Sequence, residues 1–155
     1  MADASNYFHK ESYRTITKEI TFVGGTANAT GDYDGTGNPF AIFTVVGNVK
    51  VKVYAICTTT LVGGSSTLEI GTATATAAII AQTTGTDIDV SELWHDASPD
   101  TNVEASSVVA EKIIVTGAAN SGDIIGTVAT ANITAGVIKF ICELVPIDGQ
   151  GNVTV

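Results

Sequence analysis

The stretch FAIFTVVGNVKVKVYAICTTT, residues 40–60, decides the fold class. Ahead of Gly47-Asn48 the apolar residues Phe40, Ile42 and Val46 fall on even positions, and after it Val49, Val51, Val53, Ala55 and Cys57 fall on odd ones. Period-two alternation marks extended strands with one buried face. A two-residue loop that begins with glycine switches parity in this way, so the stretch predicts a β-hairpin closed by a type II′ turn at Gly47. In that register Val46 faces Val49, Thr44 faces Val51, Ile42 faces Val53 and Phe40 faces Ala55. The other face then carries Phe43, Val45, Tyr54 and Ile56 around Lys50 and Lys52. That row is too apolar for an ordinary wetted face and predicts a surface covered by something else.

Working outward, the same alternation recurs. Ile16, Ile20 and Phe22 share one face of a strand over residues 15–23, and Leu68 and Ile70 do so over 67–72. Residues 73–82 read as extended, because alternating threonine outweighs the helix preference of alanine. Asp87, Ile88, Asp89 and Val90 alternate as a short strand with wet aspartates. Residues 108–116 predict a strand that is central or covered, since Ile113, Ile114 and Val115 are apolar on both faces. The last long strand, 136–145, puts Ile138, Phe140, Cys142 and Leu144 inward and Val137, Ile141 and Val145 outward, until Pro146 ends pairing.

Composition agrees. Of 155 residues, 23 are Thr, 17 Val and 16 Ile, and these β-branched types favour the pleated sheet. The expected fold is all-β, an antiparallel β-sandwich or jelly-roll-like single domain over residues 14–155, preceded by an extended N-terminal arm over 1–13. The arm is polar and without periodicity, as a disordered tail is, but it holds Tyr7, Phe8 and Tyr13, three of few aromatics, which suits a segment that orders on a neighbouring subunit.

Charged residues make up only 15% of the chain and the net charge is −9. Residues 1–60 carry five basic and five acidic side chains, and 61–155 carry two against eleven. Without a basic footprint, nucleic acid is not an expected partner. The longest aliphatic run, Ala77–Ala81, is far too short to span a membrane. The opening MADASNYFHKESYR lacks an apolar secretory core, so synthesis and folding in a cytoplasm are expected, and the sequons at Asn28, Asn132 and Asn152 read as composition.

Sites of chemistry are sparse. Asp32 and Asp34 lie in a glycine-rich loop, but the calcium-loop pattern wants glutamate where Phe43 stands. Ser91, His95 and Asp96 have the residue types of a hydrolytic triad, yet three neighbours within six residues rarely form a relay. Asp87 and Asp89 read as one solvated strand face rather than a carboxylate pair. Cys57 and Cys142 sit on the apolar parity of their strands, as small buried hydrophobes. No enzyme, cofactor or metal is expected. A repeated Ile-Gly-Thr at 70–72 and 125–127 is a faint sign of duplication.

The Thr44-to-Val53 hairpin, the Cys57-Thr58-Thr59 exit, and Gly122-Asp123-Ile124-Ile125-Gly126-Thr127 leading to Ile133-Thr134-Ala135-Gly136 resemble small all-β virion proteins of tailed bacteriophages. Head decoration, or cement, proteins are the nearest in style. The resemblance implies a homo-oligomer, often a trimer, that is assembled in the host cytoplasm, binds the major capsid protein on the outer capsid surface and stiffens the head. It supplies no catalytic residues. The expected contact residues are Tyr7, Phe8 and Tyr13 of the arm with Phe43, Val45, Tyr54 and Ile141 of the sheet faces. On that expectation Val53→Asp unfolds the subunit, whereas Phe43→Asp leaves the fold and weakens association. The alternative is a phage tail or surface module that recognises a glycan or protein through Tyr33, Trp94 and the acidic 87–100 region.

Overall fold

Strands with one apolar face bury it when two sheets stack face to face, and the chain does this. A computed structural model describes residues 13–25, 36–101, 109–116 and 122–155. Among these, apart from one 3₁₀ turn at Gly85–Asp87, the regular structure is strand, in two antiparallel sheets. Sheet 1 runs in the order β1 (Arg14–Thr21), β10 (Ala135–Pro146), β3 (Asn48–Val62), β6 (Glu92–Trp94) and β7 (Asp100–Thr101), with β8 (Glu111–Val115) beside the first part of β3. Sheet 2 runs β11 (Asn152–Thr154), β2 (Thr36–Val46), β9 (Ile124–Ala129), β4 (Thr67–Thr72) and β5 (Ala75–Thr84). One core cluster joins the inner faces of both, so the fold is an all-β sandwich.

The inward rows predicted for β3, β4 and β10 are buried as expected, with Val53, Leu68, Ile70, Phe140 and Cys142 all at 2% exposure or less. The predicted β2–β3 hairpin is corrected. β3 pairs with β10, β6 and β8, and β2 pairs with β9 and β11, so the two strands belong to different sheets. Gly47, at φ +67°, carries the chain across the sandwich, where a side chain would collide with the backbone of Gln150 and Gly151. Phe40 and Ile42 therefore face the same core as Val49, Val51 and Val53 from the opposite sheet.

A second correction lies within β2. Ala41 pairs with Ile125 and Phe43 with Ile124, two residues of β2 against one of β9, which is the signature of a bulge. The extra residue resets the parity. Phe43 (1% exposed) and Val45 (6%) point into the core, and Val46 (53%) points out. The Val45 N–H donates to Asp123 Oδ1 at 2.9 Å and so is tied to the segment entering β9.

The two Ile-Gly-Thr segments are neighbours. Ile70 pairs with Gly126 and Gly71 with Ile125 at the centre of sheet 2, so their likeness reflects one shared environment. Phe40 stands opposite Gly126, and its ring fills the space a side chain there would take. Residues 87–90 do not form the expected strand. Asp87 closes the 3₁₀ turn and 88–90 leave it without strand pairing, with Asp87 and Asp89 exposed and Ile88 fully buried. β8 is neither central nor covered: Ile113 and Val115 are each 65% exposed. At the C-terminus a turn over 147–150 leads into β11, which pairs with β2.

Candidate interaction surface

Register assigns the outer face of sheet 1 residue by residue. Ile113 lies beside Lys50 and Lys50 beside Val145, while Glu111, Lys52, Glu143 and Thr15 form the next row. Tyr54, Ile141 and Thr17 form the third, and Leu93, Ile56, Lys139 and Glu19 the fourth. Apolar and charged side chains are thus interleaved across five strands, and opposite charges stand side by side. Lys50 Nζ lies 3.2 Å from Glu111 Oε1. The Tyr54 hydroxyl donates to Glu143 Oε1 at 3.3 Å. Partial burial, then the Glu143 charge and this hydrogen bond, hold the Tyr54 phenol above its ordinary value.

The seven expected contact residues separate. Tyr54 and Ile141 do lie on this outer face, directly opposite each other in the register. Ile141 is only 6% exposed although it lies outside the core cluster. Phe43 and Val45 do not belong there, because the bulge in β2 turns them inward. Tyr13 is 63% exposed just ahead of β1. Tyr7 and Phe8 lie outside the described residues, as do Tyr33, Asp32 and Asp34. The residues that sequence reasoning missed are Ile113 and Val115. Their parity beside charged Glu111 and Lys112 was the available signal, and it was outweighed by the unbroken Ile-Ile-Val run.

Residues 91–101 hold the short strands β6 and β7, with Trp94 and His95 buried between them and the rest of the sandwich. Trp94 is fully buried, edge-on to Phe140 with ring centroids 6.3 Å apart. Its Nε1–H donates to Thr83 Oγ1 at 2.9 Å. Trp94 therefore cannot serve as an exposed platform for a sugar ring, which corrects that expectation. His95 is buried with Nδ1 3.9 Å from Asp96 Oδ2, whereas Ser91 is exposed at φ +71° with its N–H bound to Cys57 O. Cys57 and Cys142 are free, buried thiols that burial pushes up to about 11 and about 12. Among the described residues no three His, Cys, Asp or Glu side chains gather as a metal site, and no helix is long and apolar enough to cross a membrane.

Between the free flanks of the two sheets runs a cleft of about 270 Å³, with Thr72, Ala78 and Ile79 on one wall and Lys112, Ile113 and Val115 on the other. Beside it a second depression of about 460 Å³ is lined by Ala77, Ala81, His95 and Lys112. Fold and surface together define an all-β sandwich with an apolar, charge-interleaved outer face and an open flank. No protein-family model, curated protein or solved structure matches the chain.

Proposed function

We propose that this protein is a structural accessory subunit of a bacteriophage particle that associates with copies of itself and with the major capsid protein on the head surface, as a decoration or cement protein does. The observation that carries the reading is the outer face of sheet 1. It presents Ile113 and Val115 at 65% exposure and Ile56 at 38%, beside the Tyr54–Ile141 pair, on a chain with few charges. Apolar surface of this kind gains free energy only when covered. In mechanism the role is adhesive: many copies on one shell turn individually weak contacts into a firm lattice. A specific contact of this type buries about 800 Å² per partner. The trimer implied by the resemblance is one closed form such a face can build.

The test is twofold. Sedimentation gives the mass of the purified protein, and co-sedimentation with phage capsids lacking decoration gives its binding. Oligomers that bind capsids, and lose both properties in Ile113→Asp/Val115→Asp, support the reading. A protein that stays monomeric at high concentration and ignores capsids overturns it.

A further inference from the structure

A sheet edge is a row of unpaired backbone donors and acceptors, and proteins that stay apart blunt such edges with charge, proline or brevity. Among the described residues most terminal strands are blunted by charge or brevity. β1 carries Arg14, Lys18 and Glu19, and β8 is five residues long with Glu111 and Lys112. β7 has two residues and β11 three. β5 has ten residues, ATAAIIAQTT, with no charge and no proline, although its register with β4 shifts between Leu68 and Ile70 and again between Ile70 and Thr72. Among the described residues its only strand partner is β4, and Ala75 through Ala78 are exposed. Roughly half of its peptide groups point away from β4, as in any edge strand.

The geometry points to β5 as a pairing edge that takes β5 of a second copy of this chain, antiparallel across a two-fold axis, so that sheet 2 continues from one copy into the next. Charge selects this occupant. Each copy carries a net charge of −9, so two copies repel, and their contact is least opposed at a surface that holds no charge. β5 is such a surface, and it brings no like charge opposite itself when it meets its own copy. A charged peptide, in contrast, finds no complementary charge on the strand. An antiparallel pair is also the arrangement that a two-fold generates from one strand, with the same patch on both subunits. Small side chains at Ala75, Ala77 and Ala78 leave the backbone accessible along a strand about 33 Å long. The wall of the cleft that β5 itself supplies, with Ala78 and Ile79, adds apolar surface next to the hydrogen-bonded seam. This contact uses a different operator and a different surface from the outer face of sheet 1, and it does not depend on the particle role.

The experiment uses the full chain. Sedimentation equilibrium is combined with hydrogen exchange at low and high protein concentration. For the unaltered chain the expected result is an even-numbered oligomer whose β5 amides exchange at least about 10-fold more slowly at high concentration. Ala77→Lys/Ala81→Lys and Ala77→Glu/Ala81→Glu place like charges across the seam, so each is expected to associate at least about 100-fold more weakly while circular dichroism stays unchanged. Mixing the two variants is expected to restore association. β5 exchange that ignores concentration, or a lysine variant that keeps the unaltered mass, overturns the inference. If Ile113→Asp/Val115→Asp lowers the mass and the β5 variants do not, the edge contact falls and the outer-face reading stands. If capsid binding fails while the β5 dimer persists, only the particle reading falls.

Discussion

Thr83 gathers three polar groups around one hydroxyl. It accepts from the Trp94 indole at 2.9 Å, and it lies 3.1 Å from Ala81 O and 3.3 Å from Asp96 O, so it links β5 to the segment around β6. Because Trp94 is fully buried, its N–H has no water to turn to. Thr83→Val keeps the shape and removes the acceptor, and the expected loss is about 1–3 kcal/mol in urea unfolding. The two thiols supply a pH prediction. Both rise from an ordinary value of 9.0, to about 11 for Cys57 and about 12 for Cys142, with burial as the main cause. A raised folded value means that the unfolded chain loses these protons first as pH climbs. Their contribution to stability is therefore complete below pH 9.0 and is lost as pH rises toward 11 and 12. At pH 8 neither thiol should react with a thiolate-selective reagent until the protein is unfolded, and rapid labelling of the native chain would contradict the burial.

The strand β2 has to satisfy β9 on one side and β11 on the other while feeding the crossing at Gly47. Its bulge is the device that lets Phe40 and Ile42 face inward and then Phe43 and Val45 as well. A strict alternation would have left Phe43 in solvent. Phe43→Asp should consequently unfold the protein as severely as Val53→Asp does, each by burying an unpaired carboxylate. Loss of the cooperative thermal transition in both variants is the expected result. A folded Phe43→Asp with lowered oligomer mass would restore the reading of Phe43 as a surface residue. β8 is the opposite case, an element whose apolar residues exceed what the fold can bury. Only Ile114 of its three aliphatic residues reaches the core, so Ile113 and Val115 are left exposed.

At the scale of the molecule, net charge opposes association and apolar surface favours it. The charge of −9 is spread over a chain with only 15% charged residues. Raising salt from about 0.01 M to about 1 M shortens the screening length from about 30 Å to about 3 Å, which removes the repulsion between copies while leaving apolar contact intact. Average mass by sedimentation is thus expected to rise with salt. A mass that falls would mean that ion pairs, rather than the outer face or the β5 edge, hold the copies together.

What the sequence determined by itself is the material of the sandwich. Alternation in β1, β3, β4 and β10 named the buried rows, and a β-branched composition excluded helices as the main element. Alternation records which face of a strand is dry, and a strand stacked across the core dries the same face as a strand bonded beside it. For that reason residues 40–60 read equally well as a hairpin or as a crossing between sheets, and only tertiary pairing with β9, β10 and β11 decided for the crossing. The candidate surface divides in the same way. Tyr54 and Ile141 were legible because their strands are regular, and Phe43 and Val45 were misread because a one-residue bulge reverses parity without a sequence mark. Whether Ile113 and Val115 are covered, and which edge strand lacks charge on its open side, depends on neighbours distant in the chain, so the assembled sheets alone could decide it.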